Sequence, residues 1–299
     1  MKLAKIVKRC RIDDPSHFRL ADHDPAETFG LDTDEEAVRS VLADGIARLA
    51  ALQERLYAAD RWGVLLVIQA MDAAGKDSVI RHVMSGVNPQ GCEVHPFKTP
   101  SRDELEHDYL WRAARRLPGR GRIGIFNRSY YEDVLIVRVH PEFLKLRNLP
   151  PAAAGKRIWE RRFQDIRAFE RYLTRNGVLI LKFHLQISKE MQRQRFLSRL
   201  DEPDKRWKFS LNDVAERRYW DDYMTAYEEM IRATSTDYAP WHVVPADHKH
   251  VAWLVVAETV IAVLDGLKLE YPKFAGKALK ELKARERALR EEAGGRAAK

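Results

Sequence analysis

The chain has 299 residues, 45% hydrophobic and 32% charged, with 15 glycines and 13 prolines. That composition excludes collagen-like, fibrous and broadly disordered classes, and the length allows one or two domains whose core needs no disulfide or metal staple. Lys and Arg number 52 against 44 Asp and Glu, a net charge of +8, which points to an anionic partner without naming one.

The basic N-terminal stretch, residues 1–14, lacks an apolar centre and does not read as a signal peptide. Cys10 and Cys92 form no metal or disulfide pattern, so the expected compartment is the reducing cytoplasm. Residues 1–60 read as an irregular extension followed by a helix. Thr33 or Asp34 would cap that helix, and Val38, Val41, Leu42, Ile46, Leu49, Leu52 and Leu56 would form its apolar stripe.

Residues 61–267 read as one core. Short apolar runs at 64–69, 93–97, 123–127, 178–185 and 241–244, the last ending before Pro245, have the length and branching of buried parallel strands. Helical stripes lie between them: Trp159, Phe163, Ile166, Phe169 and Leu173 on one, Leu211, Val214, Tyr223, Tyr227 and Met230 on another. The alternation predicts an α/β fold with a parallel sheet and helices on both faces. The run Val251–Leu264 is too short to span a membrane and contains Glu258, so it reads as a buried helix. The ten histidines make no zinc pattern, and His248 and His250 read as surface residues at a helix start. Residues 268–299 read as a basic helical tail that frays at Gly294-Gly295.

The segment Gln69-Ala70-Met71-Asp72-Ala73-Ala74-Gly75-Lys76-Asp77-Ser78 follows the strongest strand and opens a helix, the context of a phosphate-binding loop. The N–H groups of Ala73, Ala74, Gly75, Asp77 and Ser78 would surround a phosphate at the positive end of the helix, and Lys76 would supply a charge. Against the common P-loop pattern, Ala70 replaces a glycine, and Asp77 replaces the metal-binding Ser or Thr, with Ser78 one place late. A metal must then be held by carboxylates, of which Asp72 is the nearest. Mg²⁺ suits such a site, because it takes one or two carboxylates together with water and phosphate oxygens. A second carboxylate is expected where the strand ending at Asn127 is followed by Arg128, Glu132 and Asp133, since ligands in open α/β sheets bind beyond the carboxyl ends of strands.

Several blocks in order resemble the type-2 polyphosphate kinase family. They are Met71-Asp72-Ala73-Ala74-Gly75-Lys76-Asp77, Ser85-Gly86-Val87-Asn88-Pro89-Gln90-Gly91, Phe97-Lys98-Thr99-Pro100-Ser101, and the run from Asn127-Arg128-Ser129-Tyr130-Tyr131-Glu132-Asp133 to Val139. Arg195-Phe196-Leu197, Arg206-Trp207-Lys208-Phe209-Ser210 and Tyr271-Pro272-Lys273 extend the resemblance, which covers about Phe18 to Lys273. It implies a P-loop nucleotide-kinase-like core with a helical lid, and Mg²⁺-dependent transfer between inorganic polyphosphate and adenine, or guanine, nucleotides. Asp72 and Asp133 would hold Mg²⁺, Lys76 would grip phosphate and Arg128 would meet the transferred or acceptor phosphate. The form Asn-Arg-Ser-Tyr-Tyr-Glu-Asp, where other members read Asp-Arg-Ser-Trp-Tyr-Asn-Arg, implies the subgroup accepting nucleoside mono- and diphosphates. The family also implies a homo-oligomer, dimer or tetramer.

A polymeric phosphate needs a row of cations. Lys98 and Arg138 are candidates, with an ion pair to Glu132 or a neighbour as the alternative for Arg138. Residues 189–218, the expected lid, hold 9 Lys or Arg against 6 acids, and the tail from Lys268 holds 10 against 5. Arg199 and Lys208 are the lid residues expected to meet phosphate, while Asp213 and Glu216 are expected to pair with Arg217 and Arg218. Two other readings stay open: an ATP-dependent nucleoside-monophosphate kinase, and a polyanion-binding P-loop module without turnover. No nucleic-acid-binding signature is present.

Overall fold

The computed structural model describes residues 2–31, 35–209 and 211–296, apart from the side chains of a few of them. Its strands are β1 (Gly63–Ala70), β2 (Cys92–Pro96), β3 (Ile123–Asn127), β4 (Val178–Gln186) and β5 (Trp241–Pro245). The helices of eight residues or more are α1 (Lys2–Cys10), α2 (Glu35–Ala59), α3 (Lys76–Val83), α4 (Ile158–Arg175), α5 (Lys189–Asp201), α6 (Trp220–Thr234), α7 (Lys249–Gly266) and α8 (Gly276–Arg296). The strands form one parallel sheet in the order β2-β3-β1-β4-β5, the α/β architecture that the alternation predicts. The chain divides into two compact units, Met1–Leu269 and Glu270–Lys299.

In the first unit, β1 is buried at every position because β3 and β4 flank it. β2 lies at the edge and is mostly exposed, which corrects its reading as a buried strand. β5 continues through Pro245, opposite Gln186, although its last residue has no N–H to give; an edge strand tolerates that. The other side of β5 is met by the segment after α1, where the Ile12 N–H bonds to the Trp241 carbonyl.

Helix α2 packs against α7 and buries Val38, Leu42, Leu49, Leu52 and Leu56. Val41, at the margin of that stripe, remains 49% exposed, and the cap residues Thr33 and Asp34 lie outside the described residues. The run Val251–Leu264 is a buried helix inside α7, and among the described residues no helix is long and apolar enough to cross a membrane. The stripe read as continuous from Leu211 to Met230 is broken. A short helix, Leu211–Glu216, and a 3₁₀ turn, Arg217–Tyr219, precede α6. Val214 is consequently exposed, while Tyr223, Tyr227 and Met230 join the core.

In the second unit, α8 carries ion pairs at i,i+4: Lys277–Glu281, Glu286–Arg290 and Arg287–Glu291. It runs through Gly294-Gly295 to Arg296, beyond the point where the glycines suggest fraying.

Candidate active site

The register of the sheet brings two loops together. Ile68 lies opposite Asn127, so the residues after β3 emerge beside the end of β1. The Arg128 N–H bonds to the Ile68 carbonyl at 3.0 Å. The Asn127 amide then donates to Asp77 at 2.7 Å, tying the end of β3 to the first turn of α3.

Between β1 and α3 the backbone turns through left-handed positions at Ala73 (φ 63°) and Gly75 (φ 108°). A Cβ at Gly75 would meet nothing nearer than 3.8 Å, so it is backbone conformation rather than space that favours glycine there. The carbonyls of Ala73 and Ala74 are held from outside by Arg195 of α5, at 3.0 and 2.9 Å. The other guanidinium nitrogen of Arg195 bonds the carbonyls of Ala246 and Asp247, after β5. One side chain therefore joins α5, the loop and the end of β5, and burial pulls its pKa down to about 10.

Lys76 is buried, and its ammonium donates to the carbonyls of Ala70 at 2.8 Å and Met71 at 3.1 Å. It stands 3.9 Å from an Asp72 oxygen. Burial, reinforced by the Arg128 charge, lowers its pKa to about 8. His184 of β4 lies within electrostatic reach of Lys76, its ring near that of Tyr227, and neither ring nitrogen has a hydrogen-bond partner. Burial holds this imidazole neutral, with a pKa of about 3, so it adds no second positive charge beside Lys76.

Arg128 has a left-handed backbone (φ 65°) and bridges Asp72 and Glu132. The Glu132 carboxylate, followed by that of Asp72, raises its pKa further, so it is always charged. Glu132 also accepts from Gln69 at 2.9 Å. Asp72, Lys76, Arg128 and Glu132 thus form one polar group at the carboxyl ends of β1 and β3.

Asp133 does not join that group. It is 4% exposed, and Arg147 donates to both of its oxygens at 2.7 and 2.8 Å. Arg162 reaches one of the same oxygens at 3.5 Å. Burial raises its pKa while the two arginines oppose the rise. A carboxylate clasped in this way does not fit a metal-ligand role. Asp72, one-third exposed beside the loop, fits a hard cation that takes oxygen ligands; Glu132 is the second carboxylate facing the group, and among the described residues no three ligating side chains cluster.

The remaining candidates are dispersed. Ser78 accepts from the Trp253 indole at 3.2 Å and so faces α7. Lys98 is exposed on the loop after β2. Arg138 pairs with Glu229 of α6, not with Glu132. Arg199 lies 3.8 Å from Asp213, whose pKa is raised by burial and by the charge of Asp72. Glu216 bonds His140 and Tyr223, so neither acid makes the expected pair with Arg217 or Arg218; the turn after Glu216 carries those arginines elsewhere. The Lys208 side chain lies outside the described residues.

Sequence reasoning missed the clasp of Arg147 and Arg162, the linking role of Arg195, and a buried pair, Glu170 and Lys182. Lys182 alone left a trace, as a charge within the apolar run VLILKFHL.

The family model described as Polyphosphate kinase 2 (PPK2) matches residues 32–272. An ADP-polyphosphate phosphotransferase from Rhodopseudomonas palustris is 53% identical over 83% of this chain and 86% of its own length. An AMP/ADP-polyphosphate phosphotransferase from Meiothermus ruber is 46% identical over 89% of this chain and 96% of its own. The crystal structure of polyphosphate kinase 2 from Arthrobacter aurescens TC1 superposes with a TM-score of 0.84 at 42% identity, covering 98% of this chain and 97% of that one. The P-loop kinase-like fold, the charged group at the strand ends and these matches lead to one conclusion: the chain is an enzyme of the polyphosphate kinase 2 family.

Proposed function

We propose that this enzyme transfers phosphoryl groups between inorganic polyphosphate and AMP or ADP, forming ADP and ATP. The observation that carries the reading is the convergence of Lys76 and Arg128 on Asp72 at the loop between β1 and α3. Phosphoryl transfer asks a protein mainly for positioning and charge neutralisation. Lys76 would hold a phosphate of the donor, and Arg128 would neutralise the equatorial oxygens of the group in flight. The acceptor oxygen is already anionic, so no general base is needed. Asp72, with Glu132 nearby, would hold Mg²⁺, which supplies further neutralisation of phosphate charge when bound. A Pseudomonas aeruginosa protein named polyphosphate:AMP phosphotransferase, 33% identical over 82% of this chain and 46% of its own length, supports AMP as an acceptor.

We read residues 189–218 as a lid whose root is fixed by Arg195, with residues 1–60 as the N-terminal extension, 61–267 as the kinase core and 268–299 as the tail. Arg199, together with Lys98, would line the path of the polymer. We also propose a cytoplasmic enzyme, consistent with two free cysteines, that self-associates as a dimer or tetramer; Leu197, Leu200 and Val214 supply exposed apolar surface on the lid. Purified enzyme given Mg²⁺ and either AMP or ADP should make product with polyphosphate as donor. Turnover with ATP alone as donor would select a nucleoside-monophosphate kinase instead, and polyanion binding without turnover would select a binding module.

A further inference from the structure

Beneath the residues that follow β3 lies a completely buried ion pair. Glu170 of α4 and Lys182 of β4 are both 0% exposed and meet at 2.7 Å. The second Glu170 oxygen accepts from two phenols, Tyr130 and Tyr131, each at 2.8 Å. Lys182 gives its other protons to the Tyr131 hydroxyl at 3.0 Å and the Thr234 carbonyl at 2.7 Å. The Thr234 hydroxyl accepts from the Trp241 indole at 2.9 Å, and the Trp241 ring meets that of Tyr131 edge-on. Burial keeps both phenols protonated, so each remains a donor.

Stability alone is a poor reason for such a cluster, because a buried ion pair gains little over well-packed apolar residues of the same volume. Its location suggests another. Tyr130 and Tyr131 stand in the chain between Arg128 and Glu132, the two residues whose side chains meet Asp72 and Gln69. Arg128 also holds a left-handed backbone that a residue with a Cβ adopts only under constraint. Asn127 and Ser129 hold the chain on either side of Arg128, through Asp77 and the Tyr131 N–H, and the two phenols add a deeper anchor in which both end on one carboxylate.

We propose that Glu170 is a positioning residue for phosphoryl transfer. Acting through Tyr130 and Tyr131, it fixes the turn that aims the Arg128 guanidinium and the Glu132 carboxylate; it touches no substrate. The carboxylate is specifically suited. One oxygen takes both phenols while the other takes the ammonium. In Glu170→Gln only one acceptor oxygen remains, so the amide nitrogen faces either the Lys182 ammonium or the two phenols, and the three donors can no longer all be satisfied as they are.

The role rests on the phosphotransferase reading above, and three variants test it: Tyr130→Phe, Tyr131→Phe and Glu170→Gln. The two Phe variants keep the rings and remove only a hydroxyl, so they decide the matter if Glu170→Gln fails to fold. Initial rates with polyphosphate and ADP, taken well below each variant's melting temperature, should show kcat lowered by up to about 10²-fold, as small misplacements of reacting groups do. KM for both substrates should stay within roughly threefold, since the interaction lost is made only in the transition state. A kcat near wild type despite a lower melting temperature would overturn the proposal and leave the cluster a structural one. A KM that rises with kcat unchanged would overturn it too, by assigning the cluster to ground-state binding. A wild-type enzyme inactive with polyphosphate would instead overturn the phosphotransferase reading itself.

Discussion

Lys76 spends its hydrogen bonds on two backbone carbonyls and lies close to Asp72, so its charge is held at a fixed point rather than on a mobile stem. Lys76→Ala should lower kcat/KM by at least about 10²-fold, the scale of removing one preorganised charge from a transition state; melting curves should show the fold retained. The depressed pKa adds a pH signature. In the free enzyme the ammonium loses its proton as pH rises through about 8, so kcat/KM should fall on the alkaline side with an apparent pKa near that value. The stability effect has the opposite sense. Between pH 8 and the ordinary lysine range the unfolded chain binds more protons, so the penalty of burying this charge is present below about 8 and is relieved as pH rises through that window. Arg128→Ala should cost about 10³-fold in kcat if the guanidinium neutralises the transferring group. Arg128→Lys should recover little of this, because one ammonium cannot reach both Asp72 and Glu132 as the planar fork does.

At the scale of elements, the site is where register places it. Ile68 opposite Asn127 sets two loops side by side, and Arg195 ties the first of them, with the segment after β5, to α5. Much of this was legible in advance. Strand identity followed from short branched apolar runs, and the loop from its place between β1 and a helix. That the loop after β3 meets the loop after β1 followed from the rule that ligands gather beyond strand ends; that Arg128 rather than Asp133 is the residue beside Asp72 did not. The clasp on Asp133 was not legible, because Arg147 and Arg162 come from separate segments further along the chain, at no helical or strand spacing that marks their approach. The exposure of β2 was likewise hidden, since strand order is a property of the sheet and not of the run Cys92–Pro96. Arg195 looked like one cation of a charged helix, and its four carbonyl partners appear only in three dimensions. A contrast separates packing from chemistry. Leu49 of α2 is fully buried against the core and far in the chain from the charged group, so Leu49→Ala should lower stability by about 2–5 kcal/mol. Denaturant titration measures that loss, and kcat below the melting transition should stay near wild type.

The whole molecule carries a P-loop kinase-like core and a charge distribution suited to a long anion. The excess of Lys and Arg lies in residues 189–218 and in the tail from Lys268. KM for polyphosphate should therefore rise with ionic strength more steeply than KM for the nucleotide, because many exposed charges act on the polymer at once. In the proposed reaction the phosphoryl group passes from one anhydride to another without reaching water. Phosphorus NMR of a single reaction, with enzyme, Mg²⁺, polyphosphate and ADP, follows both substrates together. The account requires a new ATP γ-phosphate resonance for each phosphate lost from the polymer, with no matching growth of orthophosphate. Orthophosphate appearing in place of ATP, or a polymer left intact while nucleotide is unchanged, would contradict it.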